Sequence, residues 1–220
     1  MPVNPKQNLP PELHDCKEHT PGCGSELYIV EGDSAAKSVC RLRNLQLQAV
    51  VPMQGKPLNA YKAKAEVVAK NRLYHTLLQS LGCNSLAAPE KLRYDRIIFL
   101  FDPDADGIHI GALMLLFFYR WLRPVLEGGK LFVVRAPLYE IANVDRTQIQ
   151  LGYTEEQYRQ ICEQLGPSTD LKKQRYRGLG SMNDDVLFRN CISTETRILH
   201  KLTVADAEAS RLIFGGKIEY

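Results

Sequence analysis

Three aspartates at alternate positions, Asp102, Asp104 and Asp106, directly follow an apolar run of β-forming residues and are closed by Gly107. Because alternate residues of an extended chain point the same way, their carboxylates can converge just past the carboxyl end of a strand. Three negative charges held together repel one another unless a cation lies among them. Hard carboxylate oxygens suit Mg²⁺, with Mn²⁺ or Ca²⁺ as substitutes, rather than zinc. The spacing therefore predicts a divalent-metal site.

Two other kinds of site begin with similar residues. An EF-hand loop requires a bidentate glutamate at its twelfth position, and counting from Asp102 that position is Leu113, which excludes it. A phosphatase of the haloacid dehalogenase type places Asp-x-Asp after a buried strand, with the first Asp as nucleophile. Its pattern has Thr or Val at the position of Asp106. The phosphatase remains a second interpretation, and a solvated acidic turn is a third.

Glu31 ends another apolar run, residues 26–30, and an alanine-rich helical sequence follows it. This arrangement places Glu31 at the carboxyl end of a strand, the edge of an open α/β sheet at which ligands bind. We therefore expect Glu31 to be a fourth carboxylate of the metal site. Strands alternate with helices as far as residue 143, which predicts an α/β, Rossmann-like fold with a parallel central sheet flanked by helices.

The composition is that of a globular protein: 220 residues, of which 45% are hydrophobic and 24% are charged. The net charge of +3 is small, so any basic surface for a nucleic acid must be local. The N-terminus lacks the apolar core of a signal peptide, and the longest apolar run, residues 110–119, is too short to span a bilayer. With six scattered cysteines, these features predict a cytoplasmic protein with reduced thiols.

Residues 1–24 are predicted to form an irregular, proline-rich leader. Four of its side chains can bind zinc: His14, Cys16, His19 and Cys23. Their spacing matches no common zinc finger, and no second ligand pair follows downstream. We therefore expect a coincidental cluster rather than a zinc site.

The last third of the chain, residues 144–220, is predicted to be mainly helical, with helices at residues 155–165, 184–191 and 204–214. Between the first two, residues 171–180 combine four positive charges, a tyrosine and two glycines in a predicted loop. Such a loop suits the phosphate backbone of a nucleic acid, through its charge and its backbone N–H groups. Taken alone, however, the loop is better explained as a solvated basic turn.

The chain carries several motifs in order: Glu-Gly-Asp-Ser-Ala at residues 31–35, Gly-Lys and Leu-Asn within 55–59, the aspartates with His-Ile within 102–110, and Gln-Arg-Tyr-Arg-Gly-Leu-Gly with Met-Asn within 174–183. Together these motifs resemble the Toprim domain of type II DNA topoisomerases, in particular the B subunits of bacterial gyrase and topoisomerase IV. The resemblance implies a Toprim metal-binding domain at residues 25–143 and a B-subunit tail segment at residues 144–220.

In this family a tyrosine of the partner subunit attacks a DNA phosphodiester and forms a reversible phosphotyrosyl break. Mg²⁺ on the Toprim carboxylates stabilises charge on the scissile phosphate and on the leaving 3′ oxygen. The resemblance implies that Glu31 is a metal ligand and the general acid/base. The implied metal ligands beside it are Asp102, Asp104 and Asp106.

The resemblance also implies contacts with double-stranded DNA and with a tyrosine-bearing gyrase A-type subunit, the two subunits forming a heterotetramer in the parent enzyme. Lys56 and His109 join Glu31 as implied catalytic residues. The implied DNA-binding residues are Lys56, Asn59, His109, Arg175 and Arg177.

The chain departs from the family at three places: the usual Gly-Gly is Ala36-Lys37, the Arg after His-Ile is Gly111, and the Ile or Val before Leu-Asn is Pro57. All four carboxylates remain. Complete subunits carry ATPase and transducer domains that nothing here resembles, so we expect no ATP site and no activity of the chain alone. One alternative is a free-standing Toprim protein that binds a gyrase A-type subunit or DNA and modulates topoisomerase activity without catalysis. Another is a Toprim nuclease or primase-like enzyme that works alone.

Overall fold

A computed structural model describes residues 9–83, 85–86, 92–166 and 171–215. Residues 1–8 of the predicted leader and the last five residues of the chain lie outside this description. In chain order the elements are β1 (Glu26–Glu31), α1 (Gly32–Leu42), β2 (Gln48–Met53), α2 (Ala65–Lys70), α3 (Arg72–Leu81), β3 (Arg96–Leu100), α4 (Ala105–Trp121), α5 (Arg123–Glu127), β4 (Leu131–Val134), β5 (Tyr139–Asn143), β6 (Ile149–Gly152), α6 (Glu155–Leu165), β7 (Leu171–Arg175), a 3₁₀ turn (Leu179–Ser181), α7 (Asp184–Leu187), a π-helical turn (Phe188–Ile192), β8 (Leu199–Lys201) and α8 (Val204–Phe214).

The central sheet has the strand order β2-β1-β3-β4-β8. The first four strands are parallel, as the alternation of strands and helices predicted, and β8 joins β4 in the antiparallel direction. Both faces of β1 are buried: Leu27 and Ile29 enter one hydrophobic cluster, and Tyr28 and Val30 enter the other. This distribution follows from the two-residue period of a strand in a sheet that is covered by helices on both sides.

The two faces of the sheet are covered by different parts of the chain. Helices α3 and α4 pack on one face, with Tyr74 and Phe117 stacked at a centroid distance of 4.3 Å. Helix α1 packs on the other face together with the C-terminal segment (residues 144–215), whose Tyr176, Leu179 and Leu187 are almost fully buried there. The C-terminal segment therefore completes the core of the central sheet, and it also supplies that sheet's edge strand β8.

The C-terminal segment contains α6 and α8 with the predicted bounds, but it also contributes three strands that the sequence did not predict. A second sheet has the order β6-β5-β7 and is antiparallel throughout. The prediction of a loop at residues 171–180 was wrong for its first half, because Leu171–Arg175 forms β7 against β5. Between β2 and β3, Asn71 separates α2 from α3, because its side chain caps the start of α3 by accepting from the N–H groups of Leu73 and Tyr74.

The longest helix of the described residues, α4, has 17 residues, and none of the described helices is both long and apolar enough to cross a membrane.

A buried ion pair joins the C-terminal segment to the start of β1. Glu26 and Arg197 have side chains that are 1% and 2% exposed, and the guanidinium of Arg197 donates to the Glu26 carboxylate. The same carboxylate accepts from Arg96 at 2.9 Å and from the amide of Gln48 at 3.0 Å. Because a buried charge that loses its partner is strongly destabilising, this contact should hold the residues around Arg197 against the start of β1.

Replacing Glu26 by Gln should lower the free energy of unfolding by about 3 kcal/mol or more, because it leaves the buried Arg197 guanidinium without a carboxylate. Urea denaturation followed by circular dichroism measures the change. The matched control is Glu127→Gln, which removes a carboxylate from an exposed pair with Arg123 and should leave the denaturation midpoint nearly unchanged. Equal midpoints for the Glu26→Gln protein and the wild type would contradict the role of the buried pair.

Candidate metal centre

Four carboxylates lie at the carboxyl edge of the parallel strands. Strands β1 and β3 are neighbours, with Val30 opposite Leu100, so β1 reaches the edge at Glu31 and β3 stops two residues before Asp102. The chain then turns into α4, whose N-cap is Asp104. We call Glu31, Asp102, Asp104 and Asp106 the acidic edge. The structure therefore brings the four sequence-predicted metal ligands to one end of the sheet.

Each aspartate of the acidic edge has a different partner. Asp102 accepts from the backbone N–H of Leu179 at 2.9 Å, and Asp106 forms an ion pair with Lys56 at 2.6 Å. One carboxylate oxygen of Asp104 accepts from the N–H groups of Asp106 and Gly107, at 3.0 and 2.9 Å, and so caps α4. Among the described residues, no three of these four side chains place their ligand atoms within 4.8 Å of one another.

Glu31 differs from the three aspartates because its Oε2 atom is buried and has no hydrogen-bond partner. Burial raises the pKa of Glu31, and the charges of the three aspartates raise it further. The pKa of Asp102 is also raised, first by burial, with Asp104 adding to the effect and the Leu179 N–H opposing it. A divalent cation would satisfy the unpartnered oxygen and offset this repulsion, so the residues present fit a hard metal ion.

The ion pair with Lys56 changes the pKa of Asp106 in the opposite direction. The hydrogen bond from Lys56 lowers the pKa of Asp106, whose side chain is more than half exposed. Lys56, which the sequence placed in the same site, is therefore held against the acidic edge by a residue 50 positions away.

Two other predicted site residues contact the end of α8. The side-chain amide of Asn59 donates to the backbone oxygen of Phe214 at 2.8 Å, and its Oδ1 accepts from the N–H groups of Tyr61 and Lys62. The ring of His109 stacks on the ring of Phe214, with centroids 4.8 Å apart. In this conformation α8 covers one side of both residues.

Arg175 and Arg177 are exposed on either side of the buried Tyr176, just before the residues that contact Asp102. The guanidinium of Arg175 lies 5.9 Å from the ring centroid of Tyr139, and no ion pair involves either arginine within the described part of the chain. Both cations are therefore available at the surface beside the acidic edge.

The contact that the sequence analysis missed is made by residues 177–182, which we call the glycine loop. Leu179 donates its N–H to Asp102, and a Cβ on Gly178 would lie 2.5 Å from Asp102 Oδ2. A Cβ on Gly180 would collide with the Ser34 hydroxyl of α1. The two glycines around Leu179 were visible in the sequence, and this close approach of the backbone is their physical reason.

The possible zinc ligands of the leader do not form a four-residue site. Asp15, Cys16 and His19 place ligand atoms within 4.8 Å of one another, whereas His14 and Cys23 are not part of this group. The Arg93 guanidinium already donates to Asp15 and lies 3.3 Å from the His19 ring, and burial raises the pKa of Cys16 to about 11. A metal ion binds the thiolate form of a cysteine, and burial disfavours that form at Cys16.

Comparison with known proteins gives a consistent result over most of the chain. The Toprim domain family matches residues 26–136. The B subunit of DNA topoisomerase 4 from Streptococcus pneumoniae is 37% identical over 89% of the chain, and the DNA gyrase B subunit of Archaeoglobus fulgidus is 37% identical over 94%. The DNA gyrase B subunit of Thermotoga maritima is 36% identical over 94%. The matched parts are 31%, 32% and 32% of these relatives, so the chain spans about a third of their length.

The raised pKa of Glu31 predicts a pH-dependent loss of stability. An acid whose pKa is higher in the folded state binds its proton more readily there, so stability falls as the pH rises from 4.5, the ordinary value, through the folded pKa. Glu31→Gln removes this loss. In a chelating buffer at pH 7 the variant should melt about 2 °C or more above the wild type.

Calorimetry at pH 4 and pH 7 measures this difference, which should be much smaller at pH 4, where the wild-type carboxyl is mostly protonated in both states. Glu127→Gln, with its exposed carboxylate, is the control and should follow the wild type at both values. A Glu31→Gln protein that melts below the wild type at pH 7 would show that the charge on Glu31 is not destabilising.

Proposed function

This chain belongs to the Toprim domain family, and we propose that it is the Mg²⁺-binding cleavage and religation module of a type II DNA topoisomerase, from the B-type half of the enzyme. It acts with a tyrosine-bearing A-type subunit on a phosphodiester of double-stranded DNA, and the two form a heterotetramer in the parent enzyme. The observation that carries the proposal is the acidic edge, with the buried, unpartnered oxygen of Glu31 beside three aspartates.

Toprim domains bind divalent metal ions, and in this proposal Glu31, Asp102, Asp104 and Asp106 hold Mg²⁺, for which Mn²⁺ or Ca²⁺ can substitute in binding. The bound ion supplies electrostatic stabilisation of the charge that develops on the scissile phosphate and on the leaving 3′ oxygen. Asp104 can take part without losing its structural role, because one of its oxygens suffices to cap α4.

Glu31 is the proposed general acid/base. Burial raises the pKa of Glu31, so its carboxyl holds a proton more readily than an ordinary glutamate does. The proton passes from Glu31 to the 3′ oxygen during cleavage and returns during religation. Lys56 and His109 assist, with Lys56 able to turn its charge from Asp106 to a phosphate oxygen.

The DNA contacts are proposed for Lys56, Asn59, His109, Arg175 and Arg177. Lys56, Arg175 and Arg177 are exposed cations beside the acidic edge, where they can neutralise backbone phosphates. Asn59 and His109 contact Phe214, so their use on DNA would require α8 to move.

The proposed organisation places the Toprim metal-binding domain at residues 25–143 and the B-subunit tail segment at residues 144–220, preceded by the leader at residues 1–24. The tail segment supplies the glycine loop, the partner of Asp102 at the acidic edge. We also propose a cytoplasmic location and inactivity of the chain when it is alone.

Asp104→Asn tests the cleavage function. Asn caps a helix as well as Asp does, so α4 should remain intact, while the loss of one negative ligand should reduce Mg²⁺-dependent plasmid cleavage at least a hundredfold. The assay mixes this chain with a tyrosine-bearing A-type subunit. Asp145→Asn, which changes an exposed aspartate in the β5–β6 turn, is the control and should cleave like the wild type.

The same assay separates the alternatives. Unchanged cleavage by Asp104→Asn would contradict the metal assignment. Binding to the A-type subunit with no cleavage by the wild type would instead favour a modulator. Mg²⁺-dependent nicking by the wild-type chain alone would favour a Toprim nuclease.

The double variant Arg175→Gln, Arg177→Gln tests the DNA surface. If each arginine neutralises one phosphate, the variant should bind all duplex sequences more weakly, and the slope of log K against log salt should fall by about 2. Fluorescence anisotropy across a salt series measures the slope. Arg159→Gln removes an exposed arginine of α6 and serves as the control. An unchanged slope in the double variant would exclude these two residues from the phosphate contacts.

A further inference from the structure

We propose that Glu140 is a positioning residue that holds the glycine loop against Asp102 and thereby sets the metal affinity of the acidic edge. The inference extends the proposed function and rests on it for the identity of the ligand. Glu140 lies on β5, away from the carboxylates that the sequence identified, and no motif singled it out.

Glu140 is a buried charge surrounded by donors. Its side chain is 3% exposed and forms an ion pair with Arg146. The hydroxyl of Tyr176 donates to Glu140 Oε2, and the amide of Asn183 donates to both carboxylate oxygens, at 3.1 and 3.3 Å. The Asn183 amide also reaches the Tyr176 hydroxyl at 3.2 Å. A buried carboxylate with this many donors is fixed in place and fixes its partners in turn.

Arg146 shows that the backbone of the β5–β6 turn is adapted to this contact. It has a φ of 57°, and among the described residues it is the sole non-glycine residue with a positive φ. A long side chain in the left-handed region is unfavourable and persists where the surrounding contacts compensate for it. The ion pair with Glu140 is such a contact, and it neutralises the buried charge.

The two other partners of Glu140 stand at the two ends of the glycine loop. Tyr176 immediately precedes the loop, and Asn183 immediately follows it. Between them the loop is closed by its own hydrogen bonds: Ser181 Oγ donates to the backbone oxygen of Gly178 at 2.8 Å and accepts from the Arg177 N–H at 3.1 Å. Because one carboxylate holds both ends of a closed loop, it determines where the whole loop lies.

The position of the loop is transmitted to Asp102 through Leu179. The Leu179 side chain is fully buried, and its N–H donates to Asp102 Oδ1 at 2.9 Å. Gly178 passes so close to Asp102 that a Cβ there would lie 2.5 Å from Oδ2. The loop therefore fixes the orientation of an inner carboxylate of the acidic edge, and partners of this kind commonly change metal affinity by about 10–100-fold.

Glu140→Gln tests the proposal with little change of shape. The amide has one acceptor oxygen instead of two and adds an NH₂ group where donors converge, so Tyr176 or Asn183 loses its acceptor. The control is Glu26→Gln, which also removes a buried carboxylate that is paired with an arginine. Glu26 lies at the start of β1, whereas the acidic edge lies at the end of that strand. Both variants are the full chain, and circular dichroism selects a temperature at which each is folded.

The first measurement is amide hydrogen exchange by NMR without metal. In Glu140→Gln the protection of the Leu179 amide should fall about tenfold or more, while the amides of Ile29 and Phe99 in the central sheet keep theirs. In Glu26→Gln the protection of Leu179 should fall no more than that of Ile29. Unchanged protection of Leu179 in Glu140→Gln, or an equal loss at all three amides, would overturn the proposal.

The second measurement is titration with MgCl₂ by isothermal calorimetry. Glu140→Gln should raise the half-saturating Mg²⁺ concentration about tenfold. In the cleavage assay, saturating Mg²⁺ should restore the wild-type maximum, whereas a merely structural loss would lower the maximum and leave half-saturation unmoved. An unmoved half-saturation would overturn the proposed effect on metal affinity. Failure of the wild type to bind Mg²⁺ would contradict both the proposed function and the proposed effect on metal affinity. The exchange of the Leu179 amide, measured without metal, would still decide whether Glu140 positions the loop.

Discussion

Repulsion among the carboxylates at the end of β1 and β3 is the constraint that the rest of the structure accommodates. The parallel pairing of the two strands places Glu31 and Asp102 at one edge, and burial raises the pKa of both. Three groups of donors offset this charge: Lys56, the backbone N–H groups at the start of α4 and the glycine loop. The site is thus costly to fold, and two of its supports, Lys56 and the glycine loop, are far from the aspartates in the sequence.

The C-terminal segment belongs to this site as much as to the core. It buries Leu179 and Leu187 against the same face of the sheet as α1, adds β8 to the sheet edge and holds Arg197 against Glu26. Because its core contacts and its contact with Asp102 are made by neighbouring residues, the geometry of the acidic edge cannot be separated from the packing of the segment. This connection explains why the buried pair of Glu140 and Arg146 bears on the proposed chemistry.

The charge distribution favours contact with DNA through a local basic surface rather than through the net charge of the chain. The net charge of +3 is small, but β7 and the residues after it carry exposed cations close to the acidic edge. Exposed Lys172 and Lys173 on β7 also discourage pairing with other chains at this sheet edge. The same strand can therefore serve binding and solubility.

The sequence by itself determined the features that depend on near neighbours. Alternating and continuous apolar runs identified β1 and β3, and the spacing of the aspartates located the acidic edge. Capping by Thr154 and Thr203 agrees with the predicted starts of α6 and α8. These features were predictable because their hydrogen bonds and periodicity lie within a few residues of one another.

Only the tertiary structure decided the features that depend on distant partners. The residues of β7 are exposed and show no apolar alternation, so their pairing with β5 defines the strand. The bond from Leu179 to Asp102 joins residues 77 positions apart, and Glu140 acquires its role only when Tyr176 and Asn183 are folded against it. From the sequence, a charged residue on a strand is expected to be exposed to solvent. It can be buried only when the fold supplies enough hydrogen-bond donors to offset the free-energy cost of removing its charge from water.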